Sequence, residues 1–575
     1  MYRKCYHEYA GKNKSIIHLW DDEDGYSKHL WKNEAYIECS KNNASYRGMS
    51  GEWLQKVTDF DRNDENLHFH DMTPNQKFLI EKYGINDNPS TGHNIGFFDI
   101  EIKLGGKLTE EYIESCPQPV TSIAFYRQSD NYFVTLIWDE HNALKHTISN
   151  GKEIIPVESE ETLLAKFVEI WVESQLDIIS HFNGDYFDIP YLYYRICKVL
   201  GEEWGNYLSP IGKVKCKKNN NYWYSSDSYV QILGVESMDY MRLHKKYSWK
   251  EEPSYQLGKL GEKYLKLPKI EYNGTLDDLF RDDPETYVEY NFRDVEILIG
   301  LEKKWNYLGL TLNISHKGKH NYSDVYYSSI SQDGAISSFL LSKNIIPPAK
   351  QRYPIHKFNY AGGFLYCATP GIYKYVFDED LTSLYPAIIR TLNCGRETYV
   401  GNIVLENDRD SRKGLDGLRD MNSDSMIKIE NVDQQRTDIK VKDLIKLIEE
   451  NNYSISANGV MYTTHKKSSI SEVLELWFNE RVEYKTKMKV AYKKGDKVEG
   501  DYWYLRQYTI KILLNSTYGA LSLKGFRYGG DIRISESITL SGQRIIQESG
   551  LFANSHMNEL VRNEEKMTLF KESLD

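Results

Sequence analysis

Residues Asp380-Leu-Thr-Ser-Leu-Tyr-Pro-Ala-Ile-Ile389 set a carboxylate at the expected end of a strand, then a turn of small and aromatic residues, then an apolar helix start. A carboxylate at such a junction suits a metal ion, and the oriented N–H groups of the turn suit an anion such as a phosphate. The plainer reading is an ordinary strand, turn and helix with a buried tyrosine. The segment also constrains what surrounds it. A site of this kind expects a second acidic motif on a neighbouring strand, and the sequence supplies none downstream.

At 575 residues the chain is long enough for at least three packed domains. Its net charge of -11 excludes a generally basic surface, so any nucleic-acid contact has to come from a locally basic groove. Seven cysteines without a CxxC pair argue against a disulfide framework or a zinc ribbon, and fit a reducing cytoplasm. The start lacks an apolar signal core, and no run of about 18 apolar residues offers a membrane span, so a soluble intracellular protein without membrane contact is expected. The 45 tyrosines invite a reading as base-stacking platforms, but ordinary half-buried packing explains most of them.

Pattern changes mark a boundary near residue 93, a polar stretch at about 401–457 and a helical pair after it, and six parts are expected in all. Residues 1–93 form an N-terminal domain ending in the connector Asn86-Asp-Asn-Pro-Ser-Thr-Gly92. Residues 94–306 alternate strands (Phe97–Ile102, Val120–Phe125) with an amphipathic stretch around Glu161–Ser174, which predicts an α/β domain with a mixed sheet. Residues 307–358 continue or link the N-terminal domain. Residues 359–470 carry the Asp380 segment and a polar surface insertion at about 401–457. Residues 471–520 hold two helical stretches, Ser471–Tyr492 and Tyr502–Gly519, separated by the charged turn Lys493–Gly500, and 521–575 complete the chain.

Asp99 and Glu101 stand two apart in a strand, so both carboxylates leave one face and can share cations. In isolation such a pair is more often a polar strand edge. His181-Phe-Asn-Gly-Asp-Tyr-Phe-Asp188 follows a short strand at Leu176–Ile179 and puts Asn183 and Asp188 at a strand-to-helix turn, where helix capping is the common role. Tyr290 and Asp294 share a helical face at i and i+4, an ordinary helix pair by itself. Together and in this order, the three segments resemble the motifs of the DEDDy 3′-5′ exonucleases. The resemblance implies an RNase H-like domain with Asp99, Glu101, Asp188 and Asp294 as ligands of two Mg²⁺ ions, or Mn²⁺ in their place. Two-metal hydrolysis then uses one ion to activate water and the other to stabilise the leaving oxygen, with Tyr290 orienting the water.

The Asp380 segment resembles motif A of the family B DNA polymerases, departing from it only at Ala387. The resemblance implies that Asp380 and the Leu381 carbonyl bind metal and that the amides of Ser383, Leu384 and Tyr385 cradle a triphosphate. It also makes Tyr385 a steric gate under the sugar that selects deoxynucleotides. Lys511-Ile-Leu-Leu-Asn-Ser-Thr-Tyr-Gly519 resembles motif B, and its spacing sets Lys511, Asn515 and Tyr518 on one helical face. By the same resemblance Arg481 and Lys485, at i and i+4, join the phosphate clamp, although alone they read as a solvated charged face. Tyr360-Ala-Gly-Gly363 resembles the family's Y-x-G-G element. Met238–Tyr247 and Tyr373–Val376 narrow the match to polymerases of T-even-type bacteriophages. The implied architecture is α/β and α+β multidomain: an exonuclease domain, a partial palm and two-helix fingers.

Motif C, an Asp-Thr-Asp hairpin downstream of motif B, has no counterpart here, because no D-x-D follows Asn515. Asp408-Arg-Asp410 lies upstream in the polar insertion and is rejected. The expectation is therefore a split polymerase. This chain supplies exonuclease, fingers and half a palm for primer-template DNA and deoxynucleoside triphosphates, in the cytoplasm of an infected bacterium. A second polypeptide supplies motif C, the thumb and the contact with a sliding clamp, and covers apolar surface left on residues 530–575. The alternatives are a stand-alone 3′-5′ exonuclease with a vestigial palm and a non-catalytic DNA-binding fragment.

Overall fold

Side-chain alternation along strand β1 (Ile95–Ile102) organises the first half of the protein. Phe98 and Ile100 enter a core with Phe167 and Trp171 of the helix Glu160–Ser174, while Asp99 and Glu101 leave the opposite face half-buried. Burying each such aromatic contributes about 1.5–3 kcal/mol, which fixes the register of the strand and therefore the direction of its carboxylates. The computed structural model describes all residues except 104, 217–229, 249, 351–360, 367–369, 373–379, 405–414, 524, 530, 564–567 and 569–575. Tyr360, Tyr373–Val376 and Asp408–Asp410 thus lie outside the described residues, as does the strand expected to lead into Asp380.

The chain divides into two compact units, 1–33 with 73–331 and 34–72 with 332–575. In the first, β1 is joined by β2 (Val120–Arg127), β3 (Tyr132–Trp138), β4 (Thr147–Ser149), β5 (Lys152–Val157), β6 (Ile178–His181) and β7 (Glu236–Asp239). The sheet order is β4-β5-β3-β2-β1-β6-β7, with β1 antiparallel to β2 and parallel to β6, so the sheet is mixed as the pattern implied. The strand expected at Leu176–Ile179 begins two residues later. Asp177 accepts the Asn94 N–H at 3.0 Å and pairs with Lys4 at 2.9 Å, which holds the chain in the preceding turn. Helices α1 (Asp188–Leu200) and α2 (Pro284–Trp305) carry the remaining acidic residues to the sheet. An antiparallel sheet of Tyr2–Tyr9, Lys14–Asp21 and Gly25–Lys32 packs with the helix Pro74–Tyr83.

In the second unit, the turn after Asp380 opens helix α3 (Leu384–Leu392). The polar stretch expected as a surface insertion is a folded element with its own core. Strands β8 (Tyr399–Val404), β9 (Met426–Asn431) and β10 (Arg436–Lys440), helix α4 (Val441–Glu450), and strands β11 (Ser454–Ile455) and β12 (Val460–Tyr462) form a sheet of order β10-β9-β8-β12-β11. Ile403, Ile427, Val441, Leu444 and Ile448 pack between the sheet and α4. Apolar residues at alternate strand positions and on one helix face suffice for this, which is why the stretch reads as polar by composition.

Helices α5 (Ser469–Lys493) and α6 (Lys497–Leu521) form the expected hairpin, and α7 (Ile532–Arg562) follows. The connection is shorter than the expected Lys493–Gly500 turn. Asp496 caps α6 by accepting the Glu499 N–H at 2.9 Å, and Gly500 lies inside the helix because any Cβ there would collide with the Tyr492 ring. Helix α3 packs against α5, α6 and α7 around Ile388, Ile389, Trp477, Leu513 and Ile538. Among the described residues, no helix is long and apolar enough to cross a membrane.

One buried cation frames this unit. Arg527, with a side chain 0% exposed, donates to Asp333 Oδ1 at 2.7 Å, Asp71 Oδ1 at 2.6 Å and the Pro348 carbonyl at 2.6 Å, tying the 34–72 segment to the helices. Arg527→Met removes the buried cation between the two carboxylates, leaving Asp333 only its 3.6 Å pair with Lys350, and is expected to destabilise the second unit by about 3–5 kcal/mol in denaturant titrations. A loss below about 1 kcal/mol, the range of an exposed pair, would contradict this account.

Candidate functional site

Asp99, Glu101 and Asp294 each bring a carboxylate oxygen to within 4.8 Å of the others. β1 supplies the first two through its alternation, and α2 crosses that face of the sheet to deliver the third. Asn291, one turn before Asp294, donates Nδ2 to Asp99 Oδ2 at 3.1 Å and is itself held by the Ser122 hydroxyl at 2.7 Å. Asp188 stands at the first position of α1, where its Oδ1 accepts the Ile100 N–H at 3.4 Å. It lies beside the cluster but outside the closest set of three.

The turn that aims Asp188 is specified residue by residue. Asn183 adopts φ 63°, a left-handed conformation asparagine tolerates, and its N–H donates to Asp239 Oδ1 at 3.0 Å. A Cβ on Gly184 would come within 2.6 Å of the His181 ring and 2.9 Å of Asp188 Oδ2, so only glycine fits between them. His181 Nδ1 accepts the Gly184 N–H at 3.0 Å, and its Nε2 meets the Ser237 hydroxyl at 2.7 Å.

Burial and mutual repulsion dominate the electrostatics. Burial first, then Asp294, Asp188 and Glu101, drive Asp99 well above the usual carboxylate range. Burial and Asp294 push Glu101 up to about 8, and burial pushes Asp188 up to about 6. Lys269 answers part of this charge. It bonds to Asp294 Oδ2 and donates to the Tyr290 hydroxyl at 3.2 Å. Burial works against its ammonium, but Asp294, Tyr290 and Asp99 together outweigh burial and keep it protonated. The Tyr290 phenol is pushed up to about 12 by burial. Asp294 Oδ1 is buried without a hydrogen-bond partner among the described residues, and the donors are all hard carboxylate oxygens, so the set fits a divalent cation such as Mg²⁺ or Mn²⁺. A cleft of about 740 Å³ opens beside the cluster, lined by Asp99, Lys269 and Asp294 with Phe182, Met241, Tyr255 and Leu257.

In the second unit Asp380 is exposed and Leu381 is 41% exposed, immediately before the turn. Ser383 caps α3 with φ 56°, a left-handed residue followed by helical ones, which turns successive N–H groups toward one point. Leu384 and Tyr385 stand at the start of α3, and the Tyr385 ring meets Tyr518 of α6 at 4.6 Å. Lys511, Asn515 and Tyr518 all lie on α6, with Asn515 exposed. On α5, Arg481 is half-buried, and its Nε has no hydrogen-bond partner among the described residues. Lys485 is held below the usual ammonium range, first by Arg481, then by burial and by Lys489 and Lys511. Four cations therefore converge, a concentration of positive charge that calls for a polyanion.

The sequence reading did not name Lys269, Asn291 or Lys489. Lys489 continues the i, i+4 row of Arg481 and Lys485 and was visible in that spacing. Lys269 lies 25 positions before Asp294 in a connecting segment, and Asn291 is one polar residue among several on α2, so only the folded arrangement selects them.

A family model described as DNA polymerase family B, exonuclease domain, matches residues 87–260, and one described as DNA polymerase family B matches residues 328–573. The chain is 26% identical over 536 residues to the DNA-directed DNA polymerase of Escherichia phage RB69, covering 81% of this chain and 55% of that protein. It is 28% identical over 454 residues to the DNA-directed DNA polymerase of Enterobacteria phage T4, covering 74% and 50%. DNA polymerase 1 of Saccharolobus solfataricus is 26% identical over 318 residues, covering 49% and 32%. The chain spans about half the length of the two phage relatives it matches.

The raised carboxylates give a signed pH dependence. The unfolded chain ionises these groups near pH 4 (about 3.9 for Asp and 4.3 for Glu), so above that pH the folded cluster holds protons that the unfolded chain has released. The resulting penalty grows from about pH 4, and the Glu101 share of it is complete once that group would ionise, near 8. A bound cation removes it but must displace protons at lower pH. Mn²⁺ should therefore raise the melting temperature of the first unit more at pH 8 than at pH 6. Equal shifts at both would contradict the assigned protonation.

Proposed function

The chain belongs to DNA polymerase family B, and on that premise we propose that it excises nucleotides from DNA 3′ ends and holds one half of a template-directed nucleotidyl-transfer centre. The observation that carries the first part is the convergence of Asp99, Glu101 and Asp294 around an unsatisfied carboxylate oxygen beside an open cleft.

For excision, Asp99, Glu101, Asp188 and Asp294 would hold divalent cations. Bound there, such cations would supply water activation and charge stabilisation at the departing 3′ oxygen. Tyr290 orients the attacking water through its hydroxyl, itself fixed by Lys269. Before a cation enters, Lys269 offsets part of the burial that raises the Asp294 carboxyl. The apolar side of the cleft, Phe182, Met241, Tyr255 and Leu257, receives the terminal nucleoside and keeps bulk water from it.

For synthesis, Asp380 and the Leu381 carbonyl would take part in cation binding, and the amides of Ser383, Leu384 and Tyr385 would hold a deoxynucleoside triphosphate. Arg481, Lys485 and Lys511 place positive charge where pyrophosphate departs. Asn515 and Tyr518 continue the row toward the nascent base pair, and Tyr385 lies beneath the sugar. A single acidic residue cannot hold two cations, and these 575 residues contain no D-x-D after Asn515. We propose that a second polypeptide brings a further acidic pair, together with the thumb and the clamp contact. Helix α7 supports this, since Leu551 and Phe552 are 71% and 73% exposed, with Ile545, Ile546 and Met557 also exposed, apolar side chains on its surface that a partner would cover. The setting that follows from the phage relatives is primer-template DNA in the cytoplasm of an infected bacterium.

With Mg²⁺ the chain should degrade single-stranded 3′ ends, and Asp99→Ala should cost about a thousandfold or more in rate. Tyr290→Phe, which removes only the orienting hydroxyl, should cost about 10–100-fold. Intact 3′ ends after incubation with the wild-type chain would refute the excision reading. Primer extension by this chain alone should be undetectable and should appear on adding the partner polypeptide. Efficient extension without it would refute the divided centre, and excision that no partner converts to extension would favour a stand-alone exonuclease.

A further inference from the structure

Helix α7 passes under the Tyr385 ring at a glycine. A Cβ on Gly542 would stand 3.0 Å from Tyr385 Cε1, 3.4 Å from Ile388 Cδ1 and 3.6 Å from Tyr385 Cδ1. Carbon atoms attract best at about 3.5–4.0 Å, so the first of these contacts is repulsive and the ring would have to give way. Its other boundaries are close. The Tyr518 ring lies 4.6 Å away at a tilt of 46°. At the ring's tip, a Cβ on Gly363 would stand 3.3 Å from the Tyr385 hydroxyl. The next residue of α7, Gln543, donates Nε2 to the Gly362 carbonyl at 2.6 Å, so the same helical turn that carries Gly542 also fixes the segment at the tip.

Alanine serves a helix interior better than glycine, so a glycine inside a 31-residue helix needs a reason. At 542 the reason is visible as close approach. At Gly550, on the same helix, a Cβ would meet nothing within 4 Å.

We infer that Gly542 is a specificity-determining positioning residue: by lacking a side chain it sets the depth of the Tyr385 ring, and through that ring the preference of the nucleotide seat for deoxyribose over ribose. The inference rests on the nucleotide seat proposed above and adds what holds its gate in place. Discrimination between a 2′ hydrogen and a 2′ hydroxyl is a matter of one oxygen atom's clearance. A ring displaced by a few tenths of an ångström alters that clearance while leaving the phosphate contacts of α5 and α6 untouched. Gly363 bounds the same ring from its hydroxyl end and acts in the same sense.

The test is equilibrium filter binding of radiolabelled dATP and of ATP to the full chain with Mg²⁺ and a primer-template duplex presenting thymine, with Asp99→Ala in every variant to preserve the primer. The parent should prefer dATP by about tenfold or more, and Tyr385→Ala should abolish most of that preference. Gly542→Ala should change the dATP-to-ATP ratio by about threefold or more, and should have no effect on the ratio in the Tyr385→Ala background, because its action passes through that ring. Gly550→Ala should leave the ratio unchanged. If Gly542→Ala fails to fold, Gly363→Ala carries the same expectation from the exposed side of the ring. An unaltered ratio in the folded variants, or an effect that persists without Tyr385, overturns the inference while the nucleotide seat stands. A parent chain that binds neither nucleotide overturns the seat and the inference together.

Discussion

Three carboxylates within 4.8 Å of one another, walled by apolar strands and one helix, cannot all carry charge unless positive charge stands among them. Much of the first unit is arranged around that constraint. Core packing of Phe98 and Ile100 fixes the strand that bears Asp99 and Glu101, and Asn291 and Lys269 hold what α2 brings to it. The protein supplies one cation, the Lys269 ammonium, and leaves Asp294 Oδ1 unsatisfied. Protons answer part of the rest, since burial and Asp294 raise Glu101 to about 8 and burial raises Asp188 to about 6. A site that stores protons in place of metal is poised to exchange one for the other as pH and divalent concentration change.

The second unit gathers positive charge instead. Arg481, Lys485, Lys489 and Lys511 repel one another enough to depress Lys485, a cost that a bound polyphosphate would reverse. Elsewhere in the unit, charge is of the ordinary paired kind. Arg527 binds Asp333 and Asp71, and Arg533 binds Asp531 and Glu430, the latter joining the β8–β12 element to α7. Buried pairs of this sort are weak sources of net stability but strict about geometry, because each leaves an uncompensated charge when its partner moves. That strictness suits a helix whose Gly542 must meet an aromatic ring at a set depth.

Much of this was legible in the chain, for reasons that differ by element. Strand β1 and the α5–α6 hairpin announce themselves through period, because burial on one face writes a repeat of two or of 3.6 into the sequence. The acidic residues Asp99, Glu101 and Asp294 were legible only through the order in which their segments resemble a known motif set, since each segment alone reads as an ordinary strand edge or helix pair. The β8–β12 element was not, since its core is thin and its surface charged, so average polarity hid an alternation that a two-residue period would have revealed. The α5–α6 turn was misjudged because Gly500 reads as a breaker, whereas its role is to accommodate Tyr492. Lys269 and Asn291 carry no local signal at all, since their meaning comes from residues 25 and 192 positions away.

The account turns on whether the acidic cluster is a cation site, and anomalous diffraction from crystals equilibrated with Mn²⁺ addresses that without any assay of turnover. The account requires a manganese peak bounded by Asp99, Glu101 and Asp294, with the Lys269 ammonium withdrawn from Asp294 to admit it. A cluster that stays closed around Lys269 at millimolar Mn²⁺ and pH 8, with no peak among the three carboxylates, would contradict it.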